Sequence, residues 1–278
     1  MPTRTIHVAG APRIALELAG HGPLVLLMHG IGGNRTNWSG QSAAFAEHFS
    51  FAAWDARGYG LSDDYDGELA FDDFVGDVLR VLDHFGVRKA HLLGLSMGGR
   101  IAMRAALIHP ERVGTLTLVD THEGFSAFTP QQRIDFVNSR KAPLLAGQTP
   151  ADIAWPVARS LAGVMARPEH IETLARSIAA LHPASYIKSL EATVAQADLG
   201  DIARITAPAH FIVGADDPLT PPAMHFEMAA KLGGAPVSVL PEAGHLSNIE
   251  NPTAFNRAAL DWLLRHAGHA DAPRLATL

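Results

Sequence analysis

Short apolar runs alternate along the chain with longer stretches whose apolar positions recur every three or four residues. Continuous apolar runs of strand length are typical of buried parallel strands, and the helical period indicates helices that cover a sheet. Residues 14–18 alternate between apolar and polar and predict a half-exposed strand. The buried runs lie at 24–28, 51–54, 91–95, 115–119, 211–213 and 237–240. The pattern predicts an α/β fold on a mostly parallel sheet.

The longest stretch without a strand-like run lies between residues 124 and 200. Its helical patterns are separated by prolines, namely Pro130, Pro143, Pro150, Pro156, Pro168 and Pro183. We expect a helical insertion over the carboxyl edge of the sheet, where open α/β sheets bind ligands, and therefore a lid. The chain then divides into a first core part (1–123), a helical cap (124–200) and a second core part (201–278). A closing helix is expected after Asn251-Pro252, with a frayed tail after about Ala267.

Charge and composition narrow the function. The 278 residues carry 22 basic and 28 acidic side chains, which give a net charge of −6 with neutral histidines. Mild acidity without a basic stripe argues against a nucleic-acid-binding surface. The chain has no cysteine, which excludes disulfides, thiolate ligands and a cysteine nucleophile. Neither a signal-peptide pattern nor a membrane-spanning apolar run is visible, so we expect a cytoplasmic protein without membrane contact.

Histidine is frequent, with 15 in the chain. No pair has the spacing of zinc ligands, so we predict neither a metal nor a cofactor. Several histidines fall on predicted helices, where solvent exposure is the simpler interpretation: His48, His84, His109, His170, His225 and His266.

The sequence Gly94-Leu95-Ser96-Met97-Gly98 matches the pattern G-x-S-x-G. A serine on a sharp strand-to-helix turn needs small neighbours, and the turn exposes its hydroxyl above the sheet. A glycine-rich turn with a chance serine would look the same over five residues. Here the motif follows a predicted strand and precedes a helical pattern, which is the context that a nucleophile requires. We therefore predict that Ser96 is the nucleophile.

A second glycine-rich loop, His29-Gly30-Ile31-Gly32-Gly33, directly follows the strand at 24–28. Alone it could be a simple connecting turn. With the serine motif, it predicts an oxyanion hole formed by the backbone N–H groups of Ile31 and Met97. His29 and Gly30 are then expected beside the substrate.

Two further motifs follow late strands, Gly214 to Pro221 and Gly244-His245. Serine is a poor nucleophile until an imidazole takes its proton, and a carboxylate must fix the tautomer of that imidazole. The sequence provides Ser96, an acid at Asp217 and His245 in that order. This is the order of α/β-hydrolases and differs from that of chymotrypsin or subtilisin.

Taken together, these motifs resemble the α/β-hydrolase superfamily over nearly the whole chain. The stretch Trp54-Asp55-Ala56-Arg57-Gly58-Tyr59-Gly60-Leu61-Ser62-Asp63 adds to the resemblance. It implies a mostly parallel eight-stranded sheet flanked by helices, with a helical cap. The family pattern Gly-x-x-Asp-x-x-x-Pro puts the triad acid at Asp217. Asp120, after the strand at 115–119, is the alternative, because some relatives place the carboxylate there.

Within the superfamily the chain looks like 3-oxoadipate enol-lactonases and related carboxylesterases, most clearly in Asp216 to Pro222 and Ala243 to Pro252. This resemblance implies hydrolysis of a small-molecule ester or lactone through an acyl-enzyme. Ring-cleavage C–C hydrolases share Ser-Met-Gly-Gly but typically carry tryptophan after the histidine, where this chain has Leu246, a candidate substrate contact. Cofactor-free haloperoxidases with perhydrolase activity also share that motif. A small-ligand receptor on the same fold is the non-enzyme alternative.

The cap residues are open to two interpretations. Phe125, Phe128 and Trp155 are candidates for an apolar substrate pocket, although packing would equally explain buried aromatic residues. A cationic side chain of the cap could bind a substrate carboxylate, and solvated helix faces are the alternative. The candidates are Arg133, Arg140, Lys141, Arg159 and Lys188. Whether the chain forms a homo-oligomer is left open.

Overall fold

A single sheet of eight strands runs through this computed structural model, which describes residues 3–125 and 128–274. The strands are β1 (Arg4–Val8), β2 (Ile14–Ala19), β3 (Leu24–Met28), β4 (Ser50–Trp54), β5 (Ala90–Leu95), β6 (Val113–Val119), β7 (Ala209–Gly214) and β8 (Val237–Leu240). Their order is β1-β2-β4-β3-β5-β6-β7-β8. The pairs β1/β2 and β2/β4 are antiparallel, and all other pairs are parallel. The predicted fold class is confirmed.

Burial explains most of the strand pattern, but β2, expected to be half exposed, is buried except at Glu17, and β8, expected to be buried, is only partly so. Every residue of β3 to β7 is buried, so these strands appear as continuous apolar runs. The edge strand β1 is mostly exposed, and its residues, Arg-Thr-Ile-His-Val, form no apolar run. For this reason the pattern of hydrophobic positions did not predict β1.

Helices cover this sheet. They are α1 (Ser39–Ala46), α2 (Phe71–His84), α3 (Met97–Ile108), α4 (Pro130–Leu145), α5 (Pro150–Leu161), α6 (Pro168–Ala179), α7 (Pro183–Ala195), α8 (Pro222–Lys231), α9 (Ser247–Glu250) and α10 (Pro252–Arg265). Short 3₁₀ turns lie at Arg35–Trp38, Pro110–Arg112, Ile202–Arg204 and Ala267–His269. Helix α3 packs on β5 and β6, while α10 packs on β7, β8 and α1.

The helices α4 to α7 lie between β6 and β7, and we call residues 124–200 the helical segment. Each of the four helices begins with a proline, which suits the first helical turn because its N–H would have no partner there. Two of the prolines that were expected to separate helices, Pro143 and Pro156, lie inside α4 and α5 instead. The ends of the segment meet in an antiparallel bridge between Gly124 and Asp198.

The tail expected to fray after Ala267 is instead held by hydrogen bonds as far as Arg274, whose N–H donates to Phe85 O (3.3 Å) at the end of α2. The backbone N–H of Asp271 donates to Lys89 O (2.9 Å), and its carbonyl accepts from Leu24 N (2.9 Å). Its carboxylate accepts from the N–H groups of Arg88 (2.8 Å) and Lys89 (3.0 Å). These bonds attach the tail beside the amino end of β3, so the expectation of fraying was wrong for residues 267–274, and residues 275–278 lie outside the described part of the chain. None of the helices in the described ranges is long and apolar enough to cross a membrane.

Candidate active site

The predicted site residues follow directly after neighbouring parallel strands. His29 follows β3, Ser96 follows β5 and Asp120 follows β6. Asp217 and His245 lie in the loops after β7 and β8. Because these strands run side by side and in one direction, their carboxyl ends share one edge of the sheet. The topology therefore gathers residues from distant parts of the chain.

Ser96 occupies a strained turn. Its backbone has φ 53° and ψ −113°, which side-chain-bearing residues rarely adopt and which costs about 1–3 kcal/mol. The surrounding structure holds it in place, since its N–H donates to Val119 O (2.9 Å) and its carbonyl accepts from Thr121 Oγ1 (2.7 Å). The turn joins β5 to α3 and places Ser96 at the mouth of a cavity.

The glycines of this turn are required by close contacts between backbone segments. A Cβ atom at Gly94 would lie 2.2 Å from Gly98 O, and one at Gly98 would lie 2.2 Å from Met28 O. Non-bonded carbon and oxygen atoms do not approach so closely. Any larger residue would therefore push α3 away from β3 and move Ser96.

His245 is hydrogen-bonded to Asp217, and both side chains are almost fully buried. The Nδ1 atom of His245 lies 2.9 Å from Asp217 Oδ2 and 3.1 Å from Oδ1. The carboxylate also accepts from the N–H groups of Leu219 (2.8 Å) and Thr220 (2.9 Å) and from Thr220 Oγ1 (2.7 Å). These four donors fix the carboxylate, which in turn orients the ring, so that Nε2 remains for proton transfer.

Opposite charges also stabilise the contact between His245 and Asp217. Burial opposes ionisation of Asp217, yet the charge of His245 and the hydrogen bonds from His245 and Thr220 hold its pKa below the ordinary value. Burial lowers the pKa of His245, but the charge and hydrogen bond of Asp217 outweigh it and raise that pKa above the ordinary value. A raised pKa makes the imidazole a stronger base.

Asp120, the alternative acid, is fully buried but points elsewhere. Its Oδ1 accepts from Gly214 N (2.9 Å), and its Oδ2 accepts from the N–H (2.9 Å) and the hydroxyl (2.7 Å) of Ser247. In the described part of the chain it has no hydrogen bond with His245. Burial and the negative charge of Asp217 raise the pKa of Asp120 to about 7. The geometry thus places Asp217, and not Asp120, against His245.

The loop after β3 runs beside Ser96. A Cβ atom at Gly30 would lie 3.1 Å from the Cβ of Ser96, so glycine lets this loop approach the nucleophile. Ile31 N donates to no residue of the described ranges. Met97 N, at the first position of α3, has no partner within the helix. Ile31 lines the same cavity as Ser96, and Met97 directly follows Ser96 in the chain.

Both ring nitrogens of His29 are used in hydrogen bonds that fix this loop, so the residue has a structural role. Its Nε2 accepts from Ala56 N (3.0 Å), so Nδ1 carries the proton and donates to Gly30 O (2.8 Å). Burial lowers the pKa of His29 and keeps the ring neutral. The residue therefore ties the loop after β3 to the loop after β4.

Ser96 and His245 line one cavity, which is partly open to solvent. Of the predicted substrate contacts, His29, Gly30 and Leu246 also line it, as does the predicted oxyanion-hole residue Ile31. The remaining lining is mostly apolar and comes from the loop after β3 and from α4, α5 and α6: Trp38, Phe136, Val157, Leu161 and Leu174. Apolar walls with a few convergent polar groups are typical of small-molecule sites.

Other predicted cap contacts lie outside this cavity. Trp155 is 48% exposed on the outer side of α5. Phe125 and Phe128 pack on each other, with ring centroids 5.2 Å apart, and Phe125 packs behind Phe136 at 5.3 Å. Arg133 Nε donates to Phe128 O (3.2 Å), and its side chain borders a shallow outer depression. Phe125, Phe128 and Trp155 are therefore not part of the lining of this cavity, because the first two rings pack among the aromatic residues of the helical segment and Trp155 is exposed.

The cationic candidates also separate. Lys141 pairs with Glu191, Lys188 Nζ donates to Tyr65 O (3.1 Å), and Arg159 is exposed. Arg140 alone among the five lines the cavity.

Two polar residues near the site were not predicted. Thr220 bonds Asp217 and lies 3.4 Å from His245 Nδ1, and its position three residues after Asp217 was the available signal. His225, expected in solvent, is fully buried, and its Nε2 accepts from Thr121 N (3.1 Å) beside the nucleophile turn. No group of three or more acidic or histidine side chains within residues 3–125 and 128–274 could hold a metal ion.

Comparison with known proteins identifies the family of this chain. A family model described as the alpha/beta hydrolase fold matches residues 23–252. The chain is 31% identical over 255 residues to 3-oxoadipate enol-lactonase 2 of Acinetobacter baylyi, covering 89% of this chain and 92% of that protein. It is 30% identical over 251 residues to 2-hydroxy-6-oxononadienedioate/2-hydroxy-6-oxononatrienedioate hydrolase of Cupriavidus pinatubonensis, covering 86% of each.

A solved structure of a hydrolase from Pseudomonas aeruginosa superimposes with a TM-score of 0.83 at 31% identity. The match covers 94% of this chain and 98% of that one. Sequence and structure thus agree over nearly the whole chain, and the protein belongs to the α/β-hydrolase superfamily.

Proposed function

We propose that the protein hydrolyses a carboxylic ester or lactone through an acyl-enzyme on Ser96. The observation that carries the proposal is the buried His245–Asp217 hydrogen bond beside a serine held at φ 53° in the same cavity. Strained backbone at a solvent-accessible hydroxyl is kept where it serves a reaction. The similarity to an enol-lactonase supports the same chemistry.

In the acylation step, Ser96 Oγ attacks the carbonyl carbon while its proton passes to His245 Nε2. Asp217 stabilises the imidazolium that forms and keeps the ring in the required orientation. The carbonyl oxygen becomes an oxyanion, and the N–H groups of Ile31 and Met97 donate to it. The tetrahedral intermediate then collapses, the carbon–oxygen bond breaks, and the leaving oxygen takes the proton from Nε2.

Deacylation repeats these steps with water as the nucleophile. His245 Nε2 accepts a proton from water, the hydroxide adds to the acyl carbon, and Ser96 Oγ leaves with the proton. In a lactone, the acid and the alcohol stay on one product. We propose that the helical segment acts as the cap of this site, because α4, α5 and α6 supply one wall of the cavity.

A second candidate is cleavage of a carbon–carbon bond in a ring-cleavage product. The 30% identity to the Cupriavidus pinatubonensis hydrolase favours it. The same serine, histidine and oxyanion hole would serve both reactions, so the substrate must decide. A panel of 4-nitrophenyl esters, an enol-lactone and a ring-cleavage diketone separates the two by comparing kcat/KM.

The role of Ser96 can be tested without the natural substrate. A fluorophosphonate probe labels activated serines, and we expect one label on the wild-type protein and none on Ser96→Ala. Hydrolysis of 4-nitrophenyl acetate should fall at least about 1000-fold in this variant. Ser160→Ala, at an exposed serine of α5, is the matched control and should keep both properties. Labelling or hydrolysis retained by Ser96→Ala would refute the proposal.

A further inference from the structure

The cavity beside Ser96 contains one arginine, Arg140 on α4, among otherwise mostly apolar walls. Its guanidinium stacks on the ring of Phe136, with the Cζ atom 4.4 Å from the ring centroid. Burial lowers its pKa, so the charge is partly desolvated. Desolvated charges in proteins are normally paired, so Arg140 is expected to have a negatively charged partner.

Within the described chain, no carboxylate forms an ion pair with Arg140. Its Nη1 donates to Phe136 O (3.0 Å) and to Ser139 Oγ (3.2 Å), which uses both N–H bonds of that atom. The Nε and Nη2 atoms donate to none of the described residues, and three N–H bonds are left over. These atoms form the side of the guanidinium that binds a carboxylate through two parallel hydrogen bonds.

A second buried arginine shows what a purely structural role looks like in this fold. Arg100, on α3, donates to Thr193 O (2.6 Å) and also bonds Gln196 O. It thereby attaches the carboxyl end of α7 to the core, and its guanidinium is covered by two phenylalanine rings. Arg140, by contrast, bonds only its own helix and is part of the lining of the cavity.

Arg140 also lies within electrostatic reach of the proposed base. Burial lowers and Asp217 raises the pKa of His245, and the positive charge of Arg140 adds a smaller lowering. Because Arg140 lines the same cavity as Ser96 and His245, a ligand group bound at Arg140 shares that cavity with the reacting atoms.

We propose that Arg140 binds a carboxylate on the substrate, so that the enzyme prefers esters or lactones carrying a second, negatively charged acid group. This rests on the proposed function for the reaction itself. Ser96 and Arg140 line the same mostly apolar cavity, which suits a short hydrocarbon chain that joins the two ends of such a substrate. The carboxylate supplies the counter-charge that the protein itself does not.

The test compares two esters of matched shape. Mono-4-nitrophenyl glutarate carries a terminal carboxylate, and 4-nitrophenyl 5-methylhexanoate carries an uncharged isopropyl group in its place. We expect the wild-type protein to prefer the glutarate ester. In Arg140→Met, which keeps the length of the side chain, the ratio of the two kcat/KM values should fall about 10- to 100-fold, as expected for a charged hydrogen-bonded pair.

Lys141→Met is the matched control because it removes one positive charge from the neighbouring position of the same helix. Lys141 pairs with Glu191 outside the cavity, so the ratio of kcat/KM values should remain that of the wild type. Equal falls in both variants would mean that net charge alone attracts the acidic ester, and the proposal would be wrong. A ratio unchanged by Arg140→Met would also overturn it.

Binding of glutarate itself, measured by titration calorimetry, separates this proposal from the proposed reaction. If the wild-type protein hydrolyses neither ester, the proposed function fails. The proposal for Arg140 is then supported if the wild-type protein binds glutarate, if Arg140→Met weakens this binding at least tenfold, and if Lys141→Met does not change it. It is refuted if wild-type and Arg140→Met proteins bind glutarate equally or not at all.

Discussion

Two buried carboxylates lie near His245, and replacing each by its amide tests which one serves the base. Asp217→Asn places an NH₂ group where the carboxylate now accepts from His245 Nδ1 (2.9 Å) and Thr220 Oγ1 (2.7 Å). The imidazole then favours the tautomer with the proton on Nε2, which cannot accept a proton from Ser96. We expect kcat to fall by about 10⁴-fold, close to 5 kcal/mol of transition-state stabilisation.

Asp120→Asn should affect stability more than rate. An amide keeps one acceptor oxygen, so the N–H of either Gly214 or Ser247 loses its partner in a fully buried place. A buried unsatisfied donor costs about 1–3 kcal/mol of the free energy of unfolding. Because Asp120 has no hydrogen bond with His245 in the described structure, kcat should change by no more than about tenfold.

The pH dependence has a definite sign for each residue. Catalysis needs neutral His245, and the carboxylates raise its pKa, with the larger contribution from Asp217 and a smaller one from Asp120. The acidic limb of kcat/KM should therefore move to lower pH in both variants, further in Asp217→Asn. The pKa of Asp120, about 7 in the folded protein, lies above its ordinary value. Its stabilising effect is complete below about pH 4 and is lost as the pH rises through 7.

Hydrolysis of 4-nitrophenyl acetate from pH 5 to 9 and urea unfolding at pH 5 and 8 measure these effects. The stability deficit of Asp120→Asn relative to wild type should be smaller at pH 8, because the variant lacks the group that loses stability. A 10⁴-fold loss of kcat in Asp120→Asn, with Asp217→Asn near wild type, would reverse the assignment of the acid. A stability deficit that grows with pH would show that the pKa of Asp120 is not raised in the folded protein.

Two further substitutions test the loops that hold the site. His29→Ala removes the hydrogen bonds that link Gly30 O to Ala56 N. The loop that carries the proposed oxyanion-hole residue Ile31 is then less fixed, so kcat should fall about tenfold or more. His48→Ala, at an exposed histidine, is the control and should leave kcat unchanged. Glu250→Ala leaves the N–H groups of Gly163 and Leu246 without their acceptor, so the free energy of unfolding should fall by about 2 kcal/mol. Glu47→Ala, at an exposed glutamate, is the control, and its free energy of unfolding should stay within about 0.5 kcal/mol of the wild-type value. Thermal and urea unfolding with ester kinetics checks both, and wild-type behaviour in either test variant would contradict the described contacts.

The core of the site could be predicted because local physics sets it. The turn at Ser96 has no room for a side chain at positions 94 and 98, so both must be glycine. This local requirement is visible in the sequence as a five-residue pattern. The loops after β3, β7 and β8 have similarly strict local geometry. Buried parallel strands appear as apolar runs, and their shared edge brings the motifs together without further information.

Features that depend on distant contacts were not visible. His225 lies on a helix with a mixed pattern, and only the packing of α8 on β7 shows that its ring is buried. The tail is ordered by Asp271, whose partners at Arg88 and Lys89 are more than 180 residues away. Such hydrogen bonds leave no periodic signal in the sequence.

The helical segment shows why substrate preference is the hardest property to infer. Phe136, Arg140 and Leu144 recur at intervals of four residues, so they share one face of α4. Phe136 and Leu144 pack on the core, which turns Arg140 inward with them. Lys141, one residue later, is rotated about 100° around the helix and meets Glu191 instead. Both are cations on one helix, and only the orientation of that helix on its neighbours separates a residue of the cavity from an outer ion pair.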